Sequence, residues 1–151
     1  MQNVFDAKDA QEYINRINNL TPETQRKWGK MSVDQVLAHL NVAYDLTFTP
    51  EKFPKPSFIA KFLLSKFVKP KITNEIPYKQ SLPTSPVFII ADERNFEEEK
   101  AKLIGNIQRV QQLGREAFEG KENINFGKMT AQCWNNMFAK HLNHHLEQFG
   151  V

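Results

Sequence analysis

Apolar residues recur along this chain every three or four positions, the spacing that places side chains on one face of an α-helix. The pattern is strong in four segments, residues 7–19, 32–47, 93–114 and 130–149. Three consecutive glutamates, residues 97–99, open the third segment, and acidic side chains are favourable at the amino end of a helix. Four long helices in one small chain predict an all-α fold, arranged as a four-helix bundle.

The connection between the second and third predicted helices, residues 49–92, is long and contains seven prolines. Proline removes a backbone donor and clashes with the preceding turn, so one continuous helix is excluded there. Residues 57–69 favour a shorter helix inside this crossover, and residues 87–90 favour an extended segment. The predicted architecture is therefore a bundle with a long crossover between helices two and three.

The length and composition of the chain, 151 residues with 40% hydrophobic content, suit one core better than two. Residues 1–151 are therefore expected to form a single domain. The amino terminus lacks the pattern of a signal peptide, and no apolar stretch approaches the roughly 20 residues that cross a bilayer. We expect a cytoplasmic protein without a membrane partner. Cys133 is the only cysteine, which leaves histidine and carboxylate side chains as candidate metal ligands.

The formal charge of +3 comes with a local excess of lysine, because residues 52–71 contain six lysines and no acid. The chain has neither clustered arginines nor a recognisable reading motif, so we expect no nucleic-acid partner. On an α-helical wheel, the apolar side chains Phe58, Leu64, Phe67 and Val68 spread around the short crossover helix. This spread favours burial against the bundle or a second subunit over a membrane surface, and it predicts a homodimer.

Two short segments, WGKMS at 28–32 and FGKMT at 126–130, echo one another, and each precedes a predicted helix. Their last residues, Ser32 and Thr130, are predicted N-caps whose side-chain oxygens accept from first-turn amides. Each helix then carries the tripeptide His-Leu-Asn, which begins at His39 in the second helix and at His141 in the fourth. The two histidines are therefore expected on comparable faces of their helices.

Three of the four histidines lie within five positions near the carboxyl end, at 141, 144 and 145. At about 100° per residue, His141 and His145 fall about 40° apart, at the centre of an apolar arc. His144 falls at the rim of that arc, and His39 lies within the apolar arc of the second helix. The opposite side of the fourth helix is polar and is predicted to carry Asn136, Lys140, Asn143 and Glu147.

Converging buried imidazoles need partners for their ring nitrogens. A divalent metal held by His39, His141 and His145 meets that need, because an i, i+4 pair with a third ligand from a facing helix leaves positions open for water or substrate. The alternative is three core histidines that are each satisfied separately. Gln148 is predicted either to bind a ligand or orient a histidine ring, or to end the helix. His144 is interpreted as a solvated residue, with a proton shuttle as the second hypothesis.

The histidine of the second helix, followed by His-x-x-His-His-x-x-Gln at 141–148, resembles the DinB-like or YfiT-type superfamily of metal-dependent enzymes. The segments WGKMS, LPTSP at 82–86, NFEEEKAKL at 95–103 and HHLEQFG resemble its branch of unknown function. The resemblance implies a four-helix bundle in which His39, His141 and His145 bind zinc, nickel or iron. It also implies reactions of a low-molecular-weight thiol such as bacillithiol or mycothiol, although Leu146 and Glu147 stand where bacillithiol-type relatives often carry Arg-Gly.

The function expected from these residues is a metal-dependent hydrolase or a thiol S-transferase that acts on a small molecule. A metal held by neutral imidazoles lowers the pKa of a bound water or thiol, which makes either a nucleophile. His39, His141, His145 and Gln148 are the candidate catalytic residues. The alternative is a helical bundle that binds a metal or small ligand without catalysis.

Overall fold

A computed structural model describes all 151 residues and shows a mostly helical protein with a small two-stranded sheet. The helices are α1 (Ala7–Asn18), α2 (Val33–Phe48), α3 (Phe58–Leu63), α4 (Lys69–Thr73), α5 (Phe96–Leu113) and α6 (Ala131–Gln148), and the strands are β1 (Glu122–Asn123) and β2 (Gly127–Lys128). The helical prediction is confirmed, whereas the finer arrangement as a four-helix bundle stays a prediction. None of these helices combines the length and hydrophobicity that crossing a membrane requires.

The ends of α2 and α6 confirm the two N-caps predicted from the echoed segments. Thr130 is the N-cap of α6 and accepts from the backbone N–H of Cys133 at 3.2 Å. Ser32 is the N-cap of α2, and its backbone N–H donates to Oε1 of Gln35 at 3.0 Å. The glycines of both segments have positive φ angles, 82° at Gly29 and 69° at Gly127. Glycine adopts this left-handed conformation at little cost, so each segment turns sharply into its helix.

The core is a cluster of 25 buried hydrophobic residues to which the four long helices contribute. Helix α5 packs on α1 and α2, and α6 also contacts both of those helices. The aromatic centre of this core includes Phe138, whose ring stacks on Tyr44 at 4.7 Å and on Trp134 at 5.7 Å between centroids. These contacts fix α2 against α6, which are the two helices that carry the histidines.

The crossover contains the predicted short helix, but the helix is longer than the predicted 57–69. Helix α3 continues through a π-helical turn, Leu64–Val68, directly into α4. The backbone N–H of Lys69 donates to the carbonyl of Leu64, five residues earlier. This wider turn accommodates Pro70, which lacks an N–H and whose ring would crowd a regular α-helical turn. Proline therefore alters the helix here without ending it.

Helix α4 covers part of the polar α6 face that lies opposite the histidines. Lys140 and Asn136 are buried. The Lys140 Nζ donates to the carbonyl of Lys71 and to Oδ1 of Asn74, both at 2.6 Å. Asn136 Nδ2 donates to the carbonyl of Thr73 at 2.8 Å. The polar side of α6 is therefore a docking face for the end of the crossover helix, which wheel analysis of α6 alone does not show.

Two short segments differ from the sequence prediction. The proposed extended segment at 87–90 is wrong, because Pro86–Phe88 forms a 3₁₀ turn that begins at the proline. Proline suits this position since its fixed φ matches the first residue of a helical turn. The antiparallel hairpin of β1 and β2, which pairs Glu122 with Lys128, was not predicted. Its strands of two residues are too short to give a recognisable alternating pattern.

Candidate metal centre

Three histidine rings meet between α2 and α6. His39 comes from the middle of α2, and His141 and His145 come from the last two turns of α6. Their ligand nitrogens all lie within 4.8 Å of one another, and the group could hold a metal ion. The centroid of the His39 ring lies 4.9 Å from that of His141 and 4.6 Å from that of His145. The structure therefore brings together all three residues predicted as ligands.

The outer nitrogens of two rings are held by hydrogen-bond acceptors. His39 Nδ1 lies 2.8 Å from the carbonyl of Phe88, which can only accept. His145 Nδ1 lies 2.8 Å from Oε1 of Gln148, whose amide nitrogen donates to the carbonyl of Trp28 at 2.8 Å. In both rings Nδ1 must therefore carry the hydrogen. The Nε2 atoms of His39 and His145 therefore carry no hydrogen, as metal ligands require.

The third ring makes a direct contact with the first. His141 Nε2 lies 2.8 Å from His39 Nε2, and because the His39 atom is the acceptor, the His141 atom donates. For His141 to bind a metal through Nε2 as a neutral ligand, that hydrogen would have to move to His141 Nδ1. Metal–nitrogen distances of about 2.0–2.1 Å in a tetrahedral site separate the nitrogens by about 3.3 Å. The two rings would need to part by only about half an ångström from their 2.8 Å separation, so this pair of nitrogens is close to the spacing that a divalent ion requires.

Burial keeps the three rings neutral. It lowers the pKa of His39 and lowers that of His141 well below its ordinary value. Burial also lowers the pKa of His145 to about 3, with the positive charge of a protonated His39 acting in the same direction. Neutral imidazole is the form that binds metal. No carboxylate joins this group of ligand atoms, so three neutral ligands would leave the full charge of a bound ion in place and coordination positions open.

Gln148 connects the cluster to the loop before α2. Besides its side-chain hydrogen bond to Trp28, its backbone carbonyl accepts from the N–H of Lys27 at 2.7 Å. Any side chain at Gly29 would collide with the Gln148 amide. Gln148 is also the last residue of α6. It therefore contacts the outer nitrogen of His145 and also ends α6. These are the locations that the two alternative predictions for Gln148 required.

Aromatic rings surround the cluster. Phe88 lies 5.3 Å from His39 and 5.8 Å from His141 between ring centroids. His144 is half-buried and lies between Trp28, at 6.1 Å, and Tyr78, at 5.7 Å. Its nitrogens do not belong to the ligand group. Sequence analysis missed the contributions of Tyr78 and Phe88, because both lie in the proline-rich crossover where no periodicity marks a buried residue.

Fold and site together define a mostly helical protein with a three-histidine cluster. The chain belongs to the family described as "Protein of unknown function (DUF1569)", whose sequence model matches residues 2–150. No curated protein and no solved structure matches the chain.

The resemblance to the DinB-like or YfiT-type superfamily is therefore wrong, because the matching family is an uncharacterised one and nothing places the chain in that superfamily. The predicted metal ligands within the motif at 141–148 are two histidines four positions apart. Any helix uses that spacing to bring two side chains to one face, so it indicates a site and not an ancestry. The bacillithiol and mycothiol substrates that the resemblance implied lose their basis with it.

Proposed function

We propose that this protein is a metal-dependent enzyme in which His39, His141 and His145 hold a divalent ion that activates water or a thiol. The observation that carries the proposal is the convergence of three neutral imidazoles, two of which have their outer nitrogens fixed by acceptors. When bound, such an ion lowers the pKa of water or thiol and so supplies a nucleophile near neutral pH. The reaction class is hydrolysis or S-transfer on a small molecule.

The residues around the cluster have separate tasks in this proposal. The Phe88 carbonyl and the Gln148 amide orient the rings of His39 and His145, while the Phe88 ring shields His39 and His141 from water. Trp28 Nε1 is buried and has no hydrogen-bond partner. An unpartnered buried donor is rare and costly. A small substrate with an oxygen acceptor that reached the Trp28 ring, which packs on His144, would satisfy it.

Zinc, nickel and iron are all suitable ions, because imidazole nitrogen binds each of them. The proposal includes the arrangement of α1, α2, α5 and α6 as a four-helix bundle that carries the ligands on facing helices. Such a scaffold suits a metal site because rigid helices hold the ligand directions better than loops do.

Elemental analysis of protein purified without a histidine tag tests the proposal. We expect a divalent metal in proportion to protein, removable by a chelator and restored by added zinc, nickel or iron. Turnover of ester, amide or thiol-acceptor substrates that disappears on chelation would support the enzyme. Stoichiometric metal without turnover would support the alternative, a binding protein without catalysis. Protein that neither contains nor takes up these ions contradicts the enzyme and a metal-binding role alike.

A further inference from the structure

Helix α3 and the π turn that follows it turn their apolar side chains away from the protein. A helix packed on a globular core normally buries its apolar face. Here six large apolar side chains on one short stretch are exposed, and we refer to them as the α3 strip. Its members and their exposed fractions are Phe58 (87%), Ile59 (71%), Phe62 (56%), Leu63 (47%), Phe67 (55%) and Val68 (37%). Contiguous exposed apolar surface of this kind marks an interaction site.

The side of this helix that faces the protein is held by polar contacts. Lys61 Nζ lies 2.7 Å from Glu122 Oε1, and Lys69 Nζ donates to the carbonyl of Lys128 at 2.8 Å. Ser65 Oγ donates to the carbonyl of Phe126 at 3.4 Å. These three residues are spaced by four positions, so they define one face. Ile59, Leu63 and Phe67 lie away from that face, while Phe58 and Phe62 line a shallow groove beside Phe126 and Gly127. The outward orientation of the strip is therefore a built feature of the hairpin contact.

On a regular α-helical wheel these apolar residues spread around the helix. The π turn explains why the structure exposes most of them together. Residues in a π turn rotate by less than the about 100° of an α-helical residue. The Phe67 side chain therefore points closer to the side of Phe58 and Phe62 than it would in a regular α-helix. Leu64 alone among the four residues considered from the sequence is not exposed. Most of the large apolar side chains of this segment are therefore exposed together, as a membrane-surface element requires.

The segment that carries the α3 strip is rich in positive charge. Residues 52–74 contain six lysines and no acid. Four of these lysines, at 52, 55, 66 and 71, are exposed. Lys66 lies within the strip, where its Nζ is 5.9 Å from the ring centroid of Phe62 and 5.5 Å from that of Phe67. An occupant of this surface must therefore accept apolar side chains and cations together.

We propose that the α3 strip binds the surface of an anionic lipid membrane, with the phenylalanines in the headgroup boundary and the lysines at the lipid phosphates. Apolar burial and attraction of basic residues to anionic lipid combine in such interfacial helices. The homodimer expected from the sequence is the competing occupant. A two-fold interface through this face would bring Lys66 and its neighbouring lysines together with those of the second copy. The segment offers no carboxylate to pair with them, so charge favours the membrane.

Sedimentation with phosphatidylcholine vesicles, with and without phosphatidylglycerol, tests this proposal. We expect the protein to sediment with the anionic vesicles, less with the zwitterionic ones, and less at raised salt. The double variant Phe62→Ser/Phe67→Ser should lower the partition coefficient about tenfold or more. Lys66→Glu should lower it about fivefold or more on anionic vesicles alone. Leu113→Ser is the control, because it removes an apolar residue at the end of α5 whose exposure is similar to that of Phe62 and Phe67. It should leave the partition coefficient unchanged.

Thermal unfolding of each variant shows that folding is kept, since every substituted side chain is already exposed. Equal sedimentation with both kinds of vesicle, or no sedimentation with either, overturns the proposal. Light scattering supplies the decisive comparison with the dimer. The strip would be a dimer interface if the protein does not bind anionic vesicles and Phe62→Ser/Phe67→Ser converts a dimer to a monomer. The metal proposal is independent of all these outcomes, because no histidine lies in the strip.

Discussion

Gln148 links His145 to the loop residue Trp28 through a single side-chain amide. Its Oε1 lies 2.8 Å from His145 Nδ1, and its Nε2 donates to the Trp28 carbonyl at 2.8 Å. The carbonyl fixes which end of the amide faces the ring, and the amide then fixes which ring nitrogen carries the hydrogen. A contact between the end of α6 and the loop before α2 therefore sets the direction of the His145 lone pair.

Gln148→Leu is expected to weaken metal binding about 10–100-fold, the usual effect of losing a partner that orients a metal ligand. Leucine has a similar size, but it offers neither the acceptor for His145 nor the donor for Trp28. Competition with a chromophoric chelator measures the affinity. Glu147→Leu is the matched control, because Glu147 is the exposed neighbour on the same turn. Equal affinities for the two variants would show that Gln148 only ends the helix.

Substitutions of the neighbouring residues His144 and His145 are expected to have very different effects on metal binding. His145→Ala should lose most bound metal, because two imidazoles cannot supply the same chelation. His144→Ala should keep it, since the His144 nitrogens are not part of the ligand group. His39→Ala and His141→Ala should behave like His145→Ala. Metal content per chain after gel filtration gives the comparison, and a larger loss from His144→Ala than from His145→Ala would mean that the ligand assignment is wrong.

The convergence of the ligands could be predicted from the sequence because it depends on helical spacing alone. His141 and His145 are four positions apart, and the echo of WGKMS in FGKMT relates the start of α2 to that of α6. Both predicted N-caps and the sides of the two helices that carry the histidines follow from local rules that the tertiary structure leaves unchanged. The part of the site that lies on helices could therefore be predicted from the sequence.

The remainder depends on where the crossover runs, which periodicity does not encode. The acceptor for His39 is a backbone carbonyl, that of Phe88, and every residue type offers the same group. Lys140 lies on the polar side of the α6 wheel, and the wheel does not show that α4 covers it. The superfamily resemblance was wrong, because the matching family over residues 2–150 is an uncharacterised one.

The metal-free protein is expected to lose stability as the pH falls. Burial lowers the pKa of His39, of His141 and, to about 3, of His145. At pH values between these lowered pKa values and the ordinary histidine pKa of about 6.5, the unfolded chain binds more protons than the folded chain. A fall in pH through this range therefore favours unfolding. Each fully shifted histidine contributes a slope of about 1.4 kcal/mol per pH unit in that window.

Urea unfolding after chelation, at about pH 7.5 and about pH 5.5, measures this slope above the range where most carboxylates titrate. The free energy of unfolding should be clearly lower at the acidic value. His145→Ala should show a shallower dependence, since one of the linked groups is removed. Identical free energies at the two pH values in the unsubstituted protein would mean that the cluster protonates without unfolding.

The attachment of α4 to α6 is expected to depend on Lys140. Its Nζ donates to the Lys71 carbonyl and to both the carbonyl and Oδ1 of Asn74, and it lies 4.5 Å from the Tyr78 ring centroid. Lys140→Met keeps the length of the side chain but leaves these acceptors without a donor. Since unpartnered buried polar groups cost about 1–3 kcal/mol each when they cannot reach water, we expect the free energy of unfolding to fall by about 2 kcal/mol.

Lys8→Met is the matched control, because it makes the same substitution at an exposed lysine and should change the free energy of unfolding by less than about 0.5 kcal/mol. Hydrogen–deuterium exchange separates a local effect from a global one. In Lys140→Met, amides of residues 69–74 should exchange faster than in the unsubstituted protein, while the amides of α5 keep their protection relative to global stability. If Lys140→Met and Lys8→Met unfold alike, the crossover is held by its apolar contacts, and the buried ammonium contributes nothing to its position.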